Sequence, residues 1–155
     1  MAYTEATFQS SIPRSVREHC KKYNIKHSWY HKWTDFGGWQ PWDANLTISG
    51  KAIAFEYKIS KLKTKINFPM MFKERYHQIE QLRKWIKSGY PNSRGYIIVN
   101  WYIKRKVNRA FLCGPETADK YIQKGTVPIG EFINDKGVRE LKRLKDDLRQ
   151  DYWEL

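Results

Sequence analysis

The chain has 155 residues, with 29 Lys plus Arg against 16 Asp plus Glu and a formal net charge of +13. That length suits one domain with a sizeable core, and 41% apolar residues, including seven Trp, ten Tyr and seven Phe, exclude a disordered basic tail. No run approaches the length of a membrane span, and the start, MAYTEATFQSS, shows neither a secretory nor an organellar leader, so the expectation is a cytoplasmic protein with no membrane partner.

From Tyr3 to Tyr23 the pattern predicts two short helices, interrupted near Ser10-Ser11-Ile12-Pro13, because proline lacks a backbone donor and biases its predecessor away from helix. Residues 25–33, IKHSWYHKW, predict a strand by their β-branched and aromatic content, followed by a Gly-rich loop from Thr34 to Pro41. Residues 42–61, WDANLTISGKAIAFEYKISK, hold two alternating apolar runs around the turn pair Ser49-Gly50 and predict a β-hairpin. Between Met71 and Ser88, Phe72, Ile79, Leu82, Trp85 and Ile86 recur at helical spacing, with Gly89 as a stop. Residues 95–103, GYIIVNWYI, predict a central strand, Arg109–Cys113 another, and residues 116–123 a helix. From about 138 to 155, Val138, Leu141, Leu144, Leu148, Tyr152 and Leu155 predict an amphipathic tail helix, packed on the core or against a second copy. The whole reads as a single α/β domain over residues 1–155, a mixed central β-sheet flanked by helices.

Charge is unevenly placed. Residues 1–130 hold 23 basic and 9 acidic side chains, residues 131–155 hold 6 and 7. A polyanion is the expected partner of the first part, with Lys61, Lys63 and Lys65, and Lys104, Arg105 and Lys106, suited to phosphates and the aromatics to unpaired bases. A solvated charge run is the plain alternative for the lysines. Cys20 and Cys113 have no metal-ligand spacing and read as structural, and His27 and His31 share a strand face without a third ligand.

The hairpin carries the sharper signal. With Ser49 and Gly50 at the turn, Ile48 pairs with Lys51, and counting outward sets Asp43 opposite Glu56. Glu56 and Lys58 share that face by the two-residue strand period, together with the small Ala52 and Ala54, while Ile53, Phe55 and Tyr57 point into the core. Opposed carboxylates destabilise a sheet unless a cation lies between them or a proton is taken up. Two carboxylates completed by backbone and water oxygens suit magnesium or manganese, and Lys58 can orient a water or stabilise charge on a phosphoryl oxygen. In the plainer reading Asp43 caps a turn and Glu56 pairs with Lys58 at a solvated edge.

Pro41-Trp42-Asp43, twelve intervening residues and then Glu56-Tyr57-Lys58 resemble the PD-(D/E)xK nuclease motif, with a Trp inserted after the proline. The run GKAIAFEYKISK, then Ile66-Asn67-Phe68-Pro69, then His77-Gln78 resemble the RecU family of Holliday junction resolvases and related phage nucleases, over about residues 41–100. That resemblance implies a restriction-endonuclease-like fold and a magnesium-dependent endodeoxyribonuclease, with manganese as the substitute, that hydrolyses branched DNA such as four-way junctions. It implies Asp43, Glu56 and the Tyr57 carbonyl as metal ligands, Lys58 as the catalytic lysine and Gln78 beside it. A first-helix glutamate, matched best by Glu5 and otherwise by Glu18, completes the set as a catalytic and metal-binding residue. Lys61, Lys63, Lys65, Lys73, Arg75, His77 and Trp39 are the expected DNA contacts, and cutting two strands symmetrically implies a homodimer.

The chain departs from the family in one respect. RecU proteins insert a protruding stalk where this sequence has only Thr34–Gln40, so Trp33, Phe36, Trp39 and Trp42 serve either as a compact wedge or as cover for the sheet edge. Alternatives to the resolvase are a structure-tolerant or flap-type phage nuclease, at work in the host cytoplasm, and a non-catalytic basic nucleic-acid-binding module.

Overall fold

The computed structural model describes residues 2–33, 41–73, 77–90, 92–143 and 150–151, and side chains up to Leu141. Trp39, Phe36 and Arg75, and with them most of the expected loop 34–41, lie outside the described residues.

Helix α1 (Glu5–Lys22) runs unbroken through Pro13, where two helices were expected. Thr4 and Thr7 form a reciprocal cap at its start, and Ser10 and Ser11 donate their hydroxyls to the carbonyls of Thr7 and Phe8. A proline inside a helix costs about 3 kcal/mol. Phe8, Ile12 and Val16, four apart, are all buried on one helix face, and a fully buried side chain of this kind contributes about 1.5–3 kcal/mol, so packing outweighs the lost bond.

Strand β1 (Ser28–Lys32) pairs antiparallel with β2 (Ala44–Ile48), and β2 with β3 (Lys51–Ser60). Ser49 and Gly50 both have positive φ, 48° and 74°, the tight turn whose twist suits a hairpin. The ladder runs from Ile48↔Lys51 to Ala44↔Phe55, the register counted from the sequence. A crossover follows through β4 (Lys65–Asn67), α2 (Phe68–Phe72) and α3 (His77–Lys87), and returns the chain as β5 (Ser93–Ile103), parallel to β3. Gly95 of β5 lies under Ile86 and Leu82 of α3, where a Cβ would come within 3.2 Å of Ile86. The expected single helix from Met71 to Ser88 is instead two, because Lys73 leaves the helical backbone with φ 41° and ψ −121°.

Strand β6 (Val107–Cys113) continues the sheet, followed by α4 (Pro115–Lys124), β7 (Thr126–Pro128) and α5 (Ile129–Ile133). β7 pairs with β4 in a small second ladder that the sequence did not suggest. The tail helix is contradicted over residues 138–143, which form strand β8 (Val138–Arg143) along β6, with β9 (Gln150–Asp151) beyond it, while Leu144, Leu148, Tyr152 and Leu155 lie outside the described residues. Val138 and Leu141, three apart, would share a helix face. In the strand they point to opposite faces, Leu141 into the core under α1 and Val138 against the core under α3 and α4.

The sheet order is β1-β2-β3-β5-β6-β8-β9, a mixed central sheet with helices on both faces, as expected. One core joins Phe8, Ile12 and Val16 to Leu46, Ile53, Phe55 and Tyr57. The other joins Ala54, Ile97 and Val99 to Phe68, Phe72, Ile79, Leu82 and Tyr121. Among the described residues no helix is long and apolar enough to cross a membrane.

Candidate active site

The β2–β3 ladder stops at Ala44↔Phe55, just before β3 presents Glu56 and Lys58, and the site lies in that gap. Asp43 donates its backbone N–H to the Phe55 carbonyl at 2.9 Å, while its carboxylate accepts the Tyr57 N–H at 2.8 Å. It therefore replaces, with a side chain, the ladder partner that β2 no longer supplies. The N–H and C=O of one strand residue point to the same neighbour, so the Tyr57 carbonyl faces the Asp43 side as well.

Glu56 and Lys58 are buried on the face covered by α2 and α3, only 1% and 4% exposed. Lys58 Nζ donates to Glu56 Oε1 at 2.7 Å and to Gln78 Oε1, from the first turn of α3, at 3.0 Å. The same ammonium lies 4.9 Å from the centre of the Phe72 ring, a cation–π contact. Glu56 Oε2 is buried with no hydrogen-bond partner. The two acids feel each other: burial first, and then the charge of Asp43, raises the Glu56 pKa to about 8 against the pull of Lys58. Burial also raises Asp43, offset by the Tyr57 N–H and then by the charge of Lys58.

These features suit a hard divalent cation. An orphaned buried carboxylate oxygen beside a second carboxylate, with a main-chain carbonyl turned the same way, is an all-oxygen donor set. Among the described residues no three His, Cys, Asp or Glu side chains gather at one point, so the donor set within the protein is the two carboxylates and the main-chain carbonyl.

The expected residues fall into groups. Asp43, Glu56, Tyr57, Lys58 and Gln78 are brought together. Glu5 is half-buried, accepts from Gln9 at 3.3 Å, and lies near enough for its charge to raise the Glu56 pKa, yet it does not join the carboxylate pair as a third member of a cluster. Glu18 lies 13 positions further along the same helix, about 20 Å at 1.5 Å per residue, which separates the two first-helix candidates.

Lys61, Lys63 and Lys65 are exposed where β3 runs out. Lys61 and Lys63 join Lys104, Tyr3 and Tyr102 around a cleft of about 310 Å³. Lys73 is exposed after α2, and His77 precedes Gln78 on α3. His27 is exposed and His31 lies between two tryptophans rather than beside a carboxylate cluster.

Two residues were missed by sequence reasoning. Phe72 was read only as a core position, and Asn45 was passed over. Asn45 Oδ1 accepts both the Trp33 and the Trp42 indole N–H, at 2.7 and 2.8 Å. Its place two residues from Asp43, on the same strand face, was the available signal.

No family model matches the chain, and no curated protein matches it. Among solved structures, the chain is similar to Hjc of Archaeoglobus fulgidus, a Holliday junction resolvase from an archaeal hyperthermophile. The match has a TM-score of 0.37 and 13% sequence identity and covers 77% of this chain and 98% of that one. A likeness of that size carries no argument about this chain's chemistry, which rests on its own residues.

Proposed function

We propose that the protein is a metal-dependent endodeoxyribonuclease of the restriction-endonuclease-like, RecU-like kind, hydrolysing branched DNA such as four-way junctions, with magnesium or manganese as cofactor. The observation that carries this reading is the buried Asp43, Glu56, Lys58 and Gln78 constellation with one Glu56 oxygen left without a partner. A basic binding module gains nothing from burying two acids in a surface meant for phosphates.

Asp43 and Glu56, with the Tyr57 carbonyl, would hold the cation. When bound, it supplies Lewis acidity toward a phosphoryl oxygen and lowers the pKa of water. Gln78 and Glu56 position the Lys58 ammonium, which orients the attacking water and stabilises negative charge on the phosphoryl group. Phe72 closes the space under that ammonium and limits water there. Water oxygen bonds to phosphorus, the bond to the 3′ oxygen breaks and that oxygen takes up a proton, leaving a 5′-phosphate and a 3′-hydroxyl. Lys61, Lys63, Lys65, Lys73 and His77 contact the phosphate backbone, and two copies acting together cut the two strands.

The test compares cleavage of a four-way junction, a flap and a linear duplex of equal length, with magnesium and with calcium. Preference for the junction with magnesium is the expected result. Equal cutting of all three overturns the resolvase, and no cutting with any divalent metal overturns the nuclease.

A further inference from the structure

Edge strand β1 carries a row of rings on the same face as the carboxylates. Tyr30 turns inward, its hydroxyl 3.1 Å from that of Tyr57, so Trp29, His31 and Trp33 turn to the opposite face by the strand period. Trp29 pairs with Thr47 and His31 with Asn45, and the Trp33 N–H extends the ladder by donating to the Asp43 carbonyl at 2.9 Å. The Trp29 and His31 rings are stacked, 5.2 Å apart and 2° from parallel, and Trp33 meets His31 edge-on at 4.8 Å. Asn45 ties Trp33 to Trp42 through their indole N–H groups, and Trp42 leads to Trp85 at 5.4 Å. Trp29 and Trp33 remain 57% and 42% exposed.

From this we infer that the belt Trp29, His31, Trp33 and Trp42, fixed by Asn45, is a stacking platform for unpaired nucleobases beside the carboxylate pair. The occupant follows from the chemistry present. Flat exposed indole faces in register suit flat partners, and stacking on them tolerates any base. His31 lies opposite Asn45 and Trp33 opposite Asp43, and directly opposed residues share a face, so the rings and the acids share one surface. Exposed aromatic patches of this kind mark contact sites, and the basic excess of residues 1–130 favours a polyanion. A fully paired duplex keeps its base faces inside its own stack and cannot use the belt. The platform therefore favours DNA with unpaired nucleotides at a branch. It rests on the proposed nuclease only in taking DNA as the partner.

The experiment measures affinity in a metal-free buffer containing chelator, at fixed salt, by fluorescence anisotropy. The probes are a duplex and the same duplex with a short unpaired thymidine run at a branch. Replacing Trp29 and Trp33 by alanine is expected to weaken the branched probe about tenfold and the duplex by less than about twofold. Trp29→Ala alone, which leaves the Asn45 bonds intact, gives part of that loss, and Trp29→Phe with Trp33→Phe restores most of it. Equal loss on both probes, or no loss on either, overturns the platform. So does a wild-type dimer that the alanine variant converts to monomer in sedimentation, which would make the belt an interface between copies. Because no cleavage is read, an absence of nuclease activity leaves this contrast measurable, and loss of the contrast with cleavage intact overturns the platform alone.

Discussion

Two of the lysine–carboxylate pairs among the described residues, Lys58 with Glu56 and Lys120 with Asp135, are treated in opposite ways. Asp135 accepts from the Tyr121 hydroxyl at 2.7 Å, from Lys120 and from the Gly137 N–H at 2.8 Å, so both of its oxygens are satisfied. Those donors pull its pKa down to about 2. Glu56 shares its lysine with Gln78, has one buried oxygen without a partner and is pushed up by burial and by Asp43. A carboxylate that serves only to hold the fold gains by satisfying every lone pair, since a buried unmet acceptor costs about 1–3 kcal/mol. The Glu56 corner keeps that cost, and a cation between Glu56 and Asp43 would remove it.

Breaking the contrast at the Glu56 corner gives the largest effect. Asp43→Asn keeps an oxygen for the Tyr57 N–H but removes one of the two negative charges. Cleavage by this variant is expected to fall on the order of 10³-fold, with junction binding retained, whereas Asp135→Asn stays within about threefold of wild type. Initial rates on a labelled junction check both, and equal losses would erase the distinction between the corners.

Stability separates them next. Above pH 8, where Glu56 is ionised, Glu56→Gln removes the charge paired with the buried Lys58 ammonium, and breaking a buried pair costs about 3–5 kcal/mol. Adding Lys58→Met removes the stranded charge and is expected to return most of the loss in urea unfolding. A double variant no more stable than Glu56→Gln alone would show that the pair is not the source. Calcium gives a third comparison, a cation that need not support cutting. At a hundredfold excess over its dissociation constant it stabilises the folded state by about 2.7 kcal/mol, so the melting temperature of wild type should rise and that of Asp43→Asn should not. A rise of equal size in both would place calcium elsewhere.

The Glu56 corner was legible because a hairpin has arithmetic. One turn pair, Ser49-Gly50, sets the register, and the two-residue period assigns Glu56, Lys58 and Asn45 to one face without any tertiary information. The ladder itself stops at Ala44↔Phe55, and Asp43 reaches onward with its side chain, a local departure that counting cannot supply. Pro13 was misread because helix propensity is local, whereas the burial of Phe8, Ile12 and Val16 that overrides it is tertiary. The tail was misread because Val138 and Leu141 are three apart, a spacing that fits one helix face and equally fits two sheet faces when both are covered. β4 and β7 are three residues each, too short to show a period at all. Gln78 was found only through the resemblance, since nothing in the periodicity of α3 separates a buried glutamine from an exposed one.

The smallest effect belongs to the satisfied corner and appears only in acid. The Asp135 pKa is depressed from 3.8 to about 2, so the folded state holds the ionised form more tightly than the unfolded chain does. The stability it contributes is complete above pH 4 and is lost as pH falls from there toward 2. Lys120, its ionic partner, is half exposed, which limits the ion pair to on the order of 1 kcal/mol. Asp135→Asn should therefore lie below wild type in chemical unfolding at pH 6 and approach it at pH 2. A gap that stays constant over that range would mean that Asp135 acts through its shape and not its charge, and the two corners would then differ only in burial.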